Sequence, residues 1–589
     1  MIAAAYLYDP EAQQASNARG ENYWYAYIGE ILCQLGLPAV AVNVRDEKHL
    51  ADALSSLRVI FAGDARAGDF SPIAESLSDW VAAGGTLIAF ASEGFDELFG
   101  NAFHSVTPEP DGSFAMTALM RLADHALARA IAPQSLAGEP IPVFGPLRKV
   151  VPQASEVLAH LMSVRLAETS SPAVTLRHLG RWQACYFAFD VAHTMWVLHK
   201  GRPVDGDYDL DGYLRLSDAI VTGPLRQDVP YADILLFLLQ NVLHSAGTPM
   251  VHQVPPLAGE VADLLIFFGG DDEGLSDGSQ VAASDFMRSR GLPYHINIMP
   301  DADGHFALTP AEHHHILANG HEASLHFNFI DGFSHPSGFT QQDVERQCKL
   351  FCQTFGHNPV VSVNHWCRWT GWVEPAKWMA ALGIKGDNSR LGLSSPPLNP
   401  VNHIGLAFGS AFPHYYYDDA DGGNQRLDFL CEPGMAYEVG YLGDATDFDT
   451  LHRALDLAAH FHMTANFFYH PIYIARQESC RQAIEELVRY LRESGLRTVF
   501  MGCDELWAWW DARARSTVEL LTASRSETRL LARCAYPEGM TVKLPVAGEV
   551  VQVRLGQVSI APAVQSHFGL PWLLLPCPPG ETEIVACSG

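Results

Sequence analysis

Residues 264–274 read Leu-Leu-Ile-Phe-Phe-Gly-Gly-Asp-Asp-Glu-Gly, and the fold of the chain turns on them. Five apolar residues in a row fit a short buried strand. Gly269 and Gly270 then let the chain bend. Three carboxylates follow at once: Asp271, Asp272 and Glu273. Acids packed together at the carboxyl end of a buried strand repel, so one is held protonated or a cation sits between them. The pattern predicts one metal ligand and one general base. The competing reading is a solvated acidic turn that caps a helix starting near Ser276.

Downstream, a helix runs to residue 290, followed by a strand at 293–299, a helix at 310–319, a strand at 323–327, a helix at 341–354 and a strand at 360–363. This cadence predicts parallel strands with helices outside. Over residues 258–515 it suits an incomplete, distorted (β/α) barrel, whose chemistry lies at strand carboxyl ends. The polar residues fall there: Asp271-Asp272, His326, Asn364-His365, and His470 after the aromatic run 466–469.

Upstream, residues 1–250 open with strands at 3–8, 39–44, 59–62 and 86–90, alternating with helices at 23–35, 50–55 and 73–83. The expected fold is a doubly wound, flavodoxin-like parallel sheet, with β-rich excursions over 140–210 and a closing helix at 231–245. The piece Trp80-Val81-Ala82-Ala83-Gly84-Gly85-Thr86-Leu87-Ile88 resembles the class I glutamine-amidotransferase-like fold. Active members of that family carry a cysteine on the sharp turn after a central strand. Here the next residues are Phe90-Ala91-Ser92-Glu93-Gly94, so the resemblance implies the fold without that activity. Ser92 as a nucleophile would need an adjacent base. The domain is left with oligomerisation, as a homo-oligomer, or with substrate access. Asp205, Asp207 and Asp209 alternate as calcium ligands do, but no distal Glu follows, so an exposed loop is expected. Residues 247–259, with three prolines, read as a linker. Residues 516–589 read as a small antiparallel β domain.

The 589 residues exceed one core, and 48% hydrophobic with 18% charged residues marks a globular chain. A formal net charge of -29 argues against nucleic acid or anionic membrane as partners. The opening lacks the charged n-region of a signal peptide, which implies a cytoplasmic protein or one whose export signal has been removed. The 11 cysteines form no Cys-x-x-Cys pair, which speaks against a zinc ribbon or a disulfide framework.

Asp271-Asp272 after a hydrophobic strand, followed by Gly320-His321-Glu322-Ala323-Ser324-Leu325-His326, resembles the first two motifs of the polysaccharide deacetylase family (NodB homology, carbohydrate esterase family 4). The resemblance implies a divalent metal, often zinc, with Asp271 as general base and Asp272 and His326 as ligands. The family's His-x-x-x-His departs here, because Ile330 stands at the second position. Arg368 is the nearest candidate for an arginine that orients the base. Phe467-Phe468-Tyr469-His470-Pro471 fits the motif whose histidine is the general acid. A hydrolytic metal needs about three protein ligands. His365, at a strand end, is the favoured third, with His335 the alternative and Asn328 a weaker donor. Trp366, Trp369 and Trp372 are either a sugar platform or core. His313-His314-His315, on a helix, point in different directions and read as surface. His403, His414 and Asp419, in the aromatic segment 396–433, have no fixed place.

The expected function is therefore metal-dependent hydrolysis of an acyl group, N-acetyl above all, on a carbohydrate or small acylated substrate. Hydrolysis of another C–N bond, as in imide or ureide amidases, and carbohydrate binding without catalysis are the alternatives.

Overall fold

A computed structural model of the chain describes residues 4–46, 54, 56–63, 67–179, 182–391, 405–441 and 448–588. The expected helix at 50–55 falls almost wholly outside these residues, as do His403 and the start of the segment 396–433.

The deciding strand forms over Leu264–Asp271, and all 8 of its residues are buried. On one side it runs parallel to Thr464–Phe468. On the other it has two partners in succession. Its first half, Leu264 to Phe267, pairs with Thr498–Met501, and Gly269 to Asp271 pair with His295–Ile298. Glu322–Phe327, Val361–Asn364, Gly386–Asp387 and Arg426–Cys431 continue the sheet in parallel. His414–Tyr417 ends it antiparallel, and Ala436–Tyr437 forms the opposite edge. The result is a curled half-barrel sheet. Gly269 and Gly270 lie inside the strand and do not bend it. At Gly270 a Cβ would collide with the Tyr469 carbonyl and the Tyr294 hydroxyl, so glycine is there for want of room.

Helices Pro310–Ala318 and Gln341–Phe355 start where capping boxes place them, Thr309 with Glu312 and Thr340 with Asp343. The second helix buries Val344, Cys348 and Phe351 along one stripe, as helical spacing requires.

The amino-terminal sheet has nine strands. Its parallel half orders Ala39–Asn43, Ala4–Tyr8, Val59–Gly63, Thr86–Phe90 and Trp182–Phe187, the strand order of flavodoxin-like sheets. Four antiparallel strands extend it from Glu168–Leu179 to Ile141–Phe144. After Thr86–Phe90, Ala91 takes a left-handed φ of 46°, and Ser92 is buried with no hydrogen-bond partner for its hydroxyl among the described residues. The β-rich expectation for 140–210 fails at Val191–Lys200, a fully buried helix capped by Asp190. All of its residues are buried, His193, Thr194, His199 and Lys200 among them, so it has no polar outer face to give an amphipathic signal.

Residues 247–259 are not a free linker. Met250–Val251 pairs with Met540–Pro545 in a carboxy-terminal sheet, and His252, Gln253 and Val254 are buried. The tail supplies the other three strands of that four-stranded sheet and the whole of a five-stranded one. Among the described residues no helix is long and apolar enough to cross a membrane.

Candidate active site

Neighbouring strands of the half-barrel deliver their polar ends to one place. Asp271 ends its strand and Asp272 follows it. His326 is the penultimate residue of Glu322–Phe327. His365 follows Val361–Asn364, and His470 follows Thr464–Phe468. All are buried, as is Glu438 beyond Ala436–Tyr437.

The Asp272 carboxylate accepts from Gly274 N at 3.0 Å and Gln280 Nε2 at 2.7 Å through Oδ1. Its Oδ2 has no hydrogen-bond partner among the described residues. His326 Nδ1 donates to the Asp272 carbonyl at 2.9 Å, which fixes the tautomer and leaves a lone pair on Nε2. That Nε2 lies 3.5 Å from Asp271 Oδ2, without hydrogen-bond alignment. The His365 ring stands 5.0 Å from that of His326, and its Nε2 is 3.3 Å from Glu273 Oε2, again poorly aligned. His470 is gripped at both ends, Nδ1 by Glu438 at 2.6 Å and Nε2 by Glu273 at 2.9 Å.

Asp271 is oriented by a neutral partner. Asn297 sits opposite it on the next strand, and its Nδ2 donates to Asp271 Oδ1 at 3.2 Å. Asn297 Oδ1 in turn meets His295 Nε2 at 3.0 Å, and His295 Nδ1 meets Glu322 at 2.9 Å. Burial opposes charge on His295, but Asp504 and Glu322 outweigh it and raise the imidazole to about 9, so both ring nitrogens donate.

Burial pushes Asp271 up to about 8; His470 opposes this and Glu273 adds to it. Burial lifts Asp272 to about 6 against the hydrogen bond from Gln280. Burial would raise Glu273 too, but His365 and His470 hold its carboxyl well below the usual range. His326 is kept neutral by burial and by His365. Burial would also discharge His470, yet Glu438 and Glu273 hold it as an imidazolium.

The structure thus gathers Asp271, Asp272, His326, His365 and His470. Arg368 does not join them. Its guanidinium donates to the carbonyls of His335 and Ser337, each at 2.7 Å, and so braces a loop; Asn297 orients Asp271 instead. His335 lies against the Ile330 carbonyl at 3.3 Å and stacks on Tyr213 at 4.5 Å. Asn328 accepts from the backbone of Ile330 and Asp331, capping a turn. The three tryptophans divide: Trp369 and Trp372 are core, and Trp366 is 48% exposed, 5.0 Å from Tyr213. Trp366 and Cys367 both take left-handed backbone, with φ of 55° and 53°. His414 is buried against His199, and Asp419 faces Lys377 at 3.9 Å. His313 stacks on Phe355 and His315 meets Asp285, on different sides of their helix. In the acidic loop, Asp207 accepts from the backbone of Asp211 and Gly212, and Asp211 pairs with Arg215.

Sequence reasoning missed Asn297, Glu273 in its bridging role, and Glu438. A polar residue in the apolar strand 293–299 was a signal for the first. Glu438, in an irregular segment at φ 46°, offered none.

Asp272 Oδ2, His326 Nε2 and His365 Nε2 are buried and make no aligned hydrogen bond among the described residues, and one carboxylate with two imidazoles is a donor set suited to zinc. Three groups of described residues bring ligand atoms within 4.8 Å of one another: His252, His462 and His567; His295, Glu322 and Asp504; and Asp207, Asp209 and Asp211. The Asp272 set is more open than these.

No protein-family model and no curated protein matches the chain. Solved structures do. Agd3, described as a novel carbohydrate deacetylase, is 11% identical with a TM-score of 0.42, over 100% of this chain and 99% of that one. A CE4 family pseudoenzyme from Bacillus anthracis is 9% identical, TM-score 0.25, over 41% of this chain and 65% of that one. The β-galactosidase from Bacillus circulans sp. alkalophilus is 18% identical, TM-score 0.24, over 31% of this chain and 28% of that one.

Proposed function

We propose that the chain is a metal-dependent hydrolase that removes an acyl group, N-acetyl in the first instance, from a carbohydrate. The observation that carries this reading is the set of three buried ligand atoms on Asp272, His326 and His365 that make no aligned hydrogen bond among the described residues, beside a carboxylate and an imidazolium. Asp272, His326 and His365 would hold a zinc-like ion, which would supply a Lewis acid for the acyl carbonyl. Asp271, aimed by Asn297 and favoured in its charged form once a cation beside it offsets the burial, would take the proton of the attacking water. His470 gives its proton to the leaving amine, so one proton is accepted and one delivered per turnover. Glu438 orients His470. Trp366, with Tyr213 from the amino-terminal region beside it, offers an aromatic face to a sugar ring, which gives that region a part in substrate access.

One observation favours a second reading, carbohydrate binding without chemistry. Glu273 already lies within ion-pair reach of both His365 and His470. Acetate release from a panel of N-acetylated sugars, measured before and after chelation and after zinc return, separates the two. Loss and recovery of turnover are expected. Binding with no turnover by zinc-loaded protein establishes the second reading.

A further inference from the structure

Far along the chain from the acidic strand end, three histidines from three separate segments meet in the interior. His252 belongs to the stretch between the amino-terminal and central sheets. His462 ends the helix Asp449–Phe461, and His567 ends the strand Val564–His567 of the tail. His252 and His567 are each 1% exposed. The ligand atoms of the three lie within 4.8 Å of one another, and the rings of His462 and His567 stack at 3.8 Å.

The hydrogen bonds around this cluster decide where the ring protons are. Gln253 donates its amide to the Gln34 carbonyl at 3.0 Å, so its Oε1 is an acceptor, and it faces His252 Nδ1 at 3.1 Å. His462 Nδ1 meets the Asp263 carbonyl at 3.0 Å, and a carbonyl can only accept. His567 Nε2 meets Gln565 Oε1 at 3.3 Å. Each ring therefore spends its N–H outward on an oxygen. The remaining nitrogens carry lone pairs, and those of His252 (Nε2) and His567 (Nδ1) are buried with no partner among the described residues. An outer N–H fixed on an oxygen with an inner nitrogen free is how ligating imidazoles are held. Lone pairs gathered without a donor between them are a buried cost that a cation removes. Lys543 does not fill that role: its Nζ is hydrogen-bonded to Gln240 Oε1 at 3.0 Å and lies over the Trp572 ring. His462 also takes a left-handed φ of 52° at a helix end where glycine or asparagine is usual.

We propose that His252, His462 and His567 form a second metal site, a buried zinc-class centre of three imidazole nitrogens that staples the central barrel and the tail to the segment between the sheets. Zinc–nitrogen bonds of about 2.0–2.1 Å draw the three nitrogens closer together. Imidazole-only donors select zinc, copper or nickel over magnesium or calcium. The site is independent of the one proposed for catalysis.

The test uses the full chain, stripped of metal, refilled with zinc and desalted. Wild type is expected to hold about two zinc ions. Asp272→Ala, with the histidine cluster intact, is expected to keep about one and to melt lower after chelation, with recovery on adding zinc. His462→Asn combined with His567→Asn is expected to lose one ion and that response, and to keep acetate release. An Asp272→Ala protein that binds no zinc and melts unchanged with chelator overturns the proposal, whether or not the histidine variants fold. One zinc in wild type, lost in the histidine variant and kept in Asp272→Ala, upholds this centre and overturns the catalytic metal instead.

Discussion

Asp271 and Asp272 are neighbours with different surroundings, and the difference fits the two roles proposed for them. Asp272 is fixed by Gln280 and the Gly274 amide and turns a bare oxygen inward, as a ligand does. Asp271 is aimed by Asn297, as a base is. Asp272→Asn should strip the metal, since a neutral amide is a poor ligand for a divalent cation. Asp271→Asn should keep metal and KM while kcat falls roughly 10²–10⁴-fold, the usual worth of a positioned base. Metal content and kinetics on the same samples check both, and the reverse pattern exchanges the roles. In the proposed mechanism Glu438 positions His470, which it meets at 2.6 Å. Glu438→Gln should lower kcat with KM unchanged and move the alkaline limb of the pH–rate profile downward, because the imidazolium loses a stabilising carboxylate; a fall in kcat with no movement of that limb excludes the role. Asp271, Asp272, His326, His365 and His470 were legible because each is an ionisable residue at the carboxyl end of an apolar strand, and parallel strands of a curled sheet bring those ends together. Arg368 misled because it was the arginine nearest to a family motif, whereas its planar fork satisfies two carbonyls. Glu438 was illegible because no periodicity governs its segment.

At the scale of elements, the turn at Trp366 and Cys367 shows backbone strain placed beside the site, where the surrounding fold holds it. Trp366→Ala should raise KM roughly tenfold, about the worth of one aromatic contact, and leave the melting temperature alone, since half the side chain is already in water. Trp372→Ala should do the opposite. That ring is buried and stacks on Trp196 at 5.6 Å, so its loss should cost about 3–5 kcal/mol of stability. Equal behaviour of the two variants removes the distinction between platform and core. Helices that open with a capping box were legible to within a residue or two, because the cap is a local chemical event. The buried helix Val191–Lys200 and the strand Met250–Val251 were not, because what makes them regular is tertiary burial and a partner 290 positions away. The prolines around residue 255 announced a connector without revealing that it is woven into a distant sheet.

At the scale of the whole molecule, buried acids tie regions together at a cost that depends on pH. Asp233, on the helix Tyr231–Ser245, accepts from Ser410 Oγ and Ala411 N of the central region. Burial pushes it up to about 7, and those hydrogen bonds only partly oppose this. Between the unfolded value of about 4 and the folded value of about 7, the native state holds a proton that the unfolded chain has released. Its contribution to stability therefore falls as pH rises through that window. Asp233→Asn removes the titration, so the melting temperature of the variant minus that of wild type should grow from pH 5 to pH 8. A flat difference would place the proton elsewhere. The strand Leu264–Asp271 has one more consequence, and it concerns time. Its first half pairs with Thr498–Met501, which enters the chain some 230 positions later. A ribosome adding about 5–20 residues per second leaves that edge open for roughly 10–50 s. During synthesis, then, the acidic pair Asp271-Asp272 hangs from a half-clamped strand, and the nascent chain exposes a sticky apolar edge that a chaperone can hold until the last parallel strand emerges.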